Sequence, residues 1–252
     1  MTHLAGAMFR GEGLLALWNG IEPGRAPEYD LWHTREHLPE RLQVPGMLSA
    51  RRYIDGKGGL PRYLTLYDVT DTGVFLSRPY RDLLDEPTEW SRSMRPSFRG
   101  FFRVACRPVG RLGGGLGGAL LATTLTSQAG AACLPEHDVN EMLRPALAIP
   151  AVTAVHLAMA VPEVPPVPFA IGGPSPDYPR DVVLALEGYD RVALEAASDA
   201  VEAWRTSTLL SRSPTIWTSY TLGCMVDRPA LDDLVAVARP AAQGPRPARR
   251  AM

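Results

Sequence analysis

Lysine is almost missing from this chain: Lys57 is the only one, and the other basic side chains are arginines. A surplus of either charge is missing as well. The 26 basic residues face 27 acidic ones for a formal net charge of -1, so neither nucleic acid nor an anionic membrane surface is expected as a partner. Cysteine is scarce, with Cys106, Cys133 and Cys224 an odd set that lacks the paired spacing of a zinc knuckle or a redox motif. They read as small buried hydrophobes in a reducing cytoplasmic compartment. No stretch approaches the roughly 20 apolar residues of a membrane span. No apolar run between charged and small-residue flanks opens the chain either. A soluble, unexported protein is therefore expected. Walker sequences, nucleophile elbows and cysteine-based catalytic patterns do not occur. Gly113-x-Gly115-x-x-Gly118 precedes a strand, whereas a dinucleotide fingerprint must follow one, so it reads as a linker.

What is present is a globular composition, 252 residues with 46% hydrophobic content, and one stretch of dense side-chain chemistry from Tyr29 to Tyr53. Leu14 to Trp18 reads as a buried strand closed by Asn19-Gly20. A helix is predicted from Pro27 to about Leu42, with Leu31, Leu38 and Leu42 as its core stripe. Tyr29, Trp32, His33, Glu36 and Glu40 gather on another side with His37 beside them, and Pro39 predicts a kink or an early end just after His37. Strands follow at Met47–Ile54 and Tyr63–Val69, then a helix at Gly73–Leu84 and a strand at Phe98–Arg107. In the first of these strands Arg51 and Arg52 must point to opposite faces.

The order β-α-β-β-α-β is the ferredoxin-like plan, and it comes twice. After a glycine-rich linker at 111–118, strands are predicted at Ala119–Leu125, Ala151–Val161, Asp181–Leu186 and Thr215–Met225. Helices are predicted at Glu136–Leu147 and Arg191–Trp204, and a Pro-rich loop spans 162–179. Val44-Pro45-Gly46 answers Ile149-Pro150-Ala151, and Glu36 and Leu38 answer Glu141 and Leu143. A tandem duplication is expected, with units at 1–110 and 119–227 and a disordered Pro/Ala/Arg-rich tail at 228–252. At the same offset Met142 replaces His37 and His137 replaces Trp32, so one principal site is expected, in the first unit.

Trp32-x-x-x-Glu36-His37-Leu38-Pro39-Glu40-Arg41-Leu42, Val44-Pro45-Gly46, Ala50-Arg51-Arg52-Tyr53, Tyr63-Leu64 and Pro87-Thr88 resemble the EthD-like branch of the dimeric α/β-barrel superfamily. The resemblance covers about Leu14 to Arg107. It implies an α+β fold in which two antiparallel sheets close a barrel and bury each helix-lined pocket against the partner sheet. Duplication would supply both sheets within one chain, giving a pseudo-dimeric monomer, and a homodimer is equally compatible. Relatives of this kind include cofactor-free enzymes on small aromatic or lactone substrates, haem proteins and stress proteins.

His37 is the expected general acid/base, an imidazole able to take a proton in an apolar cavity. Glu36 or Glu40 would orient it, and one of Arg51 and Arg52 would clamp a carboxylate or enolate. Trp18, Trp32, His33, Tyr53, Tyr67, Tyr80 and Trp90 are the expected walls of a small-molecule site, with Arg95 dependent on loop placement. His33-Thr34-Arg35-Glu36-His37 matches the inverted zincin pattern, but a catalytic zinc needs a third ligand and no downstream acidic motif supplies one. No metal is assigned. His137 and His156 read as structural or exposed. The leading expectation is cofactor-independent proton transfer, of isomerase, lyase or hydratase type, on a small apolar carbonyl or aromatic compound. The alternatives are a non-catalytic hydrophobic-ligand or stress module, and an oxygenase dependent on haem or a divalent metal.

Overall fold

Strand β1 (Gly13–Ile21) shows how the molecule divides: Leu14, Ala16 and Trp18 enter one core cluster while Leu15, one residue out of phase, enters another. In the computed structural model, residues 9–126, 136–165, 167, 181–206 and 217–228 are described. Cys133, most of the Pro-rich loop and the tail from 229 lie outside the described residues. Seven more strands follow: β2 (Met47–Asp55), β3 (Tyr63–Val69), β4 (Phe98–Gly113), β5 (Ala119–Leu125), β6 (Val152–Ala160), β7 (Val182–Gly188) and β8 (Thr218–Asp227). All pair antiparallel, in the order β1-β3-β2-β8-β5-β7-β6-β4, and close into a barrel within this one chain. No edge is left unpaired.

The barrel interior is packed. Trp18 stacks on Phe102 with ring centroids 4.6 Å apart, among Leu64, Leu66, Leu120, Val183 and Tyr220. Charges are buried there too. Arg51, 1% exposed, donates through Nη2 to both oxygens of Asp68 at 2.8 and 2.9 Å, and Ser49 donates to the same carboxylate at 2.7 Å. Glu187 accepts from the Tyr53 hydroxyl at 3.2 Å and from the Gly117 N–H at 3.1 Å.

Helices cover the outer faces. α1 (Ala26–Trp32), α2 (Leu38–Leu42), α3 (Arg78–Asp85) and α4 (Glu89–Met94) lie over the first half of the barrel, and α5 (Glu136–Leu143), α6 (Arg191–Ala196) and α7 (Ser198–Thr206) over the second. Among the described residues no helix is long and apolar enough to cross a membrane.

Three expectations need correction. β4 does not end at Arg107 but runs through Gly113, pairing first with β1 and then with β6, so Arg111, Leu112 and Gly113 are strand rather than linker. The register shifts between Pro108, which lacks an N–H, and Gly110, which lets the strand bend from one partner to the next. The helix predicted to Leu147 gives way to a 3-10 turn at Arg144–Ala148, where Pro145 interrupts the α ladder. The helix predicted over 191–204 is two helices meeting at Ala197.

The turn into β2 has Gly46 at φ 92°, and the corresponding turn into β6 has Ala151 at φ 76°. Only glycine adopts this region without strain. Ala151→Gly is therefore expected to stabilise the protein by about 0.5–1 kcal/mol, the relieved strain less the added unfolded-chain entropy, as read by urea denaturation.

Glu187 supplies a pH prediction. Burial pushes its carboxyl from 4.5 up to about 7, against the opposing charge of Arg51. The folded state then holds the proton more tightly than the unfolded chain. This contribution is full below about pH 4.5 and lost as pH rises to about 7, on the order of 3 kcal/mol. Relative to wild type, Glu187→Gln is expected to gain stability between pH 5 and pH 8; parallel stability curves would refute the assignment.

Candidate functional site

Pro39 shapes the site. Its nitrogen carries no hydrogen for the Arg35 carbonyl, and the helix widens just before it into a π turn over His33–His37, where the Leu38 N–H reaches back to His33 O. The irregularity thus precedes the expected kink. It also rotates the helix faces, so Leu38 and Leu42 are fully buried while Leu31, expected in the same stripe, is 54% exposed. Tyr29, Trp32 and His33 take the buried side instead.

The turn brings the two imidazoles together, ring centroids 5.3 Å apart, with the His37 ring 4.5 Å from that of Trp32. Both line a cavity between this helix and the outer face of β1, β3 and β4, closed on its other side by α3, α4 and the loop residue Val167. It holds about 650 Å³ of empty space, its opening to solvent included. The cavity was expected between the two sheets. It lies outside the barrel because the interior is filled by the packing around Trp18 and the Arg51–Asp68 pair.

Of the expected wall residues, Trp32, His33, Tyr67 and Tyr80 line this cavity, together with His37, the expected base. Trp18 and Tyr53 point into the barrel. Trp90 packs beside the aromatic cluster under the first helix and donates to Glu28 at 3.2 Å. Neither arginine expected as a clamp faces the cavity. Arg51 is held by Asp68 inside the barrel, and Arg52 pairs with Asp30 at 3.1 Å, its guanidinium 5.9 and 5.7 Å from the ring centroids of Tyr29 and Tyr63. Glu36 fastens the wall: its Oε1 accepts from Trp32 Nε1 at 3.2 Å, Thr88 Oγ1 at 2.6 Å and Ser91 Oγ at 3.2 Å, tying the π turn to the start of α4.

Sequence reasoning missed Arg41, Arg103, Phe98 and Phe101, which also line the cavity. A signal existed for Arg41, one helical turn beyond His37. For Arg103 the alternation along β4 puts it on the face of Phe101.

Both imidazoles are held neutral. Burial, then the charge of Arg41, the neighbouring His33 and the charge of Arg95, push His37 well below 6.5. Burial, then Arg52, does the same to His33. His33 Nε2 stands 3.4 Å from Thr65 Oγ1, and the Nδ1 atoms of both rings are enclosed without a hydrogen-bond partner.

No protein-family model and no curated protein matches the chain. Solved structures share its fold. An anthrone oxidase-like protein aligns with TM-score 0.58 and 11% identity, over 86% of this chain and 92% of that one. A candidate monooxygenase from Lactobacillus acidophilus NCFM aligns with TM-score 0.51 and 8% identity, over 86% and 97%. A haem-binding protein from Thermus thermophilus aligns with TM-score 0.48 and 10% identity, over 90% and 95%. The architecture is that of the dimeric α/β-barrel proteins, closed here by one chain.

Two expectations are corrected at this point. Proton transfer by His37 as general base is set aside: two structures that share the fold carry oxidase and monooxygenase names rather than isomerase or lyase ones. The site agrees, because an imidazolium formed at His37 would be buried against the charges of Arg41 and Arg95. The expectation of no cofactor is set aside with it, since the two enclosed imidazoles, held neutral, keep the lone pairs that ligate a metal.

The lowered values predict a pH response. The unfolded chain takes up protons at these histidines below about pH 6.5 and the folded state does not, so the stability they carry is present above that pH and lost below it. In NMR titrations the ring resonances of His33 and His37 are expected to stay unchanged from pH 8 to 5.5; a midpoint near 6.5 would contradict the burial argument.

Proposed function

We propose that this chain is an oxygenase of a small aromatic compound and that its cavity takes a haem iron at His37. The observation that carries the reading is the pair of neutral imidazoles set in an aromatic wall, with Tyr29, Trp32, Tyr67, Phe98 and Phe101 around them. The donor set suits haem better than a bare ion. A protein-bound zinc asks for three or four protein ligands, and among the described residues no group of three His, Cys, Asp or Glu stands together. Haem iron asks the protein for as little as one axial donor.

His37 is the better placed of the two. It is half-buried with Nδ1 enclosed, which leaves Nε2 for the cavity, whereas His33 is 2% exposed and its Nε2 lies beside Thr65. Haem would supply activation of oxygen or peroxide. The chain's own residues bind the substrate ring against Trp32 and Phe98, exclude water by burial, and hold the histidine helix in place through Glu36.

We infer further that the chain is a tandem duplication of ferredoxin-like units, 1–110 and 119–227, forming a pseudo-dimeric monomer. The order β1-β3-β2-β8-β5-β7-β6-β4 supports this, because it maps onto itself when each strand is replaced by the one four later. Registers agree: Leu14 faces Asp68 as Leu120 faces Glu187, and Arg51 faces Leu66 as His156 faces Ala185. The motif from Trp32 to Tyr53 supports EthD-like kinship for the first unit. Met142 in place of His37 supports one site per chain.

Haem added to the purified protein is expected to give a Soret band at one haem per chain. His37→Ala is expected to lose most of that band and to regain it with imidazole in the buffer. Anthrone, the compound class that names one fold relative, is the first substrate to assay for oxygen uptake. A protein that stays colourless after haem addition overturns the haem reading.

A further inference from the structure

Arg41 is 6% exposed on the cavity wall, and its Nη1 makes no hydrogen bond to the protein. Glu40 Oε2 forms an ion pair with that nitrogen at 3.7 Å, too long for a hydrogen bond, and has no hydrogen-bond partner of its own. The Arg41 guanidinium lies over the ring of Tyr80, 6.0 Å from its centroid, and the Tyr80 hydroxyl accepts from Arg103 Nη1 at 2.9 Å. Tyr67 borders the same cavity, 2% exposed, and its buried hydroxyl also has no partner. Arg95 adds a third guanidinium, donating through Nη2 to Leu84 O at 3.0 Å. Among the described residues the lining contains no carboxylate.

Two buried donors aimed at one cavity are costly while nothing accepts from them. The histidines contribute no negative charge, and Glu40 offsets Arg41 only across 3.7 Å, without a hydrogen bond. An oxyanion brought by the ligand satisfies both donors at once. We propose that Arg41 and Tyr67 form a carboxylate subsite, so that the aromatic compound taken by this cavity is an aryl carboxylate. Its ring lies along Trp32, Phe98 and Phe101, and its anionic oxygens accept from Arg41 Nη1 and the Tyr67 hydroxyl. Arg103 positions Tyr80 beneath the Arg41 guanidinium. The subsite rests on the reading that an aromatic compound occupies the cavity.

The test uses the full chain without haem, titrated with naphthoate and with naphthamide, its uncharged isostere, followed by tryptophan fluorescence or calorimetry. Naphthoate is expected to bind about tenfold more tightly or better, as a charge-assisted pair predicts. Arg41→Met is expected to abolish the preference by weakening naphthoate far more than naphthamide, with the near-ultraviolet dichroism unchanged, and Tyr67→Phe to reduce it several-fold. Equal affinities in the wild type, or a preference that survives in Arg41→Met, overturn the subsite. If Arg41→Met does not fold, Tyr67→Phe decides: an unchanged preference overturns the proposal. The two readings fail separately. A missing Soret band overturns the haem reading without touching the naphthoate ratio, and equal affinities beside an intact Soret band overturn the subsite alone.

Discussion

Closure of eight antiparallel strands in one chain determines where everything else can go. A closed barrel of this size fills its interior with side chains, and here the inward positions of β1, β2, β3 and β4 carry Trp18, Tyr53, Leu66 and Phe102. Whatever binds at the first helix must therefore do so on the outer face. The alternation of each strand makes the separation strict: Leu15 and Leu17 of β1 border the cavity while Leu14, Ala16 and Trp18, their immediate neighbours, never reach it.

The same alternation sorts the charges. Arg51 faces inward and is matched by Asp68, and among the strands of the second half His156 and Glu187 also face inward. A buried guanidinium without its carboxylate is strongly destabilising, so the pair is kept together. The outer arginines follow a different rule. Arg52 is matched by Asp30 at the mouth of the first helix, but Arg41, Arg95 and Arg103 surround a space walled by rings and imidazoles. Inside the barrel the chain provides its own counter-charges; beside the helix it provides fewer.

Much of the fold could be read in the letters. Alternating apolar runs located all eight strands, and the repeat of Val44-Pro45-Gly46 as Ile149-Pro150-Ala151 marked two turns that share a left-handed backbone. The strand period also required Arg51 and Arg52 to diverge, but a period cannot say which face a barrel will enclose. That is why the clamp was sought in the wrong pair. Helix periodicity failed more locally. A wheel drawn at 3.6 residues per turn puts Leu31 with Leu38, and the π turn between them breaks that phase. Pro39 was visible, yet one missing N–H can kink, end or widen a helix, and only the surrounding packing selects among these. Arg103 was hidden for another reason, since its role depends on Phe101 and Tyr80 being brought to the same wall from distant segments.

The histidines and arginines of the cavity bear on one another. An imidazole beside several guanidiniums in an apolar wall has every reason to stay neutral, and a neutral imidazole keeps the lone pair a metal requires. The guanidiniums gain nothing from such a neighbour, and Arg41 has only the 3.7 Å contact with Glu40 for a counter-charge. One arrangement thus favours a Lewis-acidic centre at the π turn and an anionic group at the Arg41 end, and it disfavours any step that would place a further positive charge between them. A base collecting protons at His37 would need the opposite electrostatics, with a carboxylate facing the ring, and the nearest glutamate of the turn is instead committed through Oε1 to Trp32, Thr88 and Ser91.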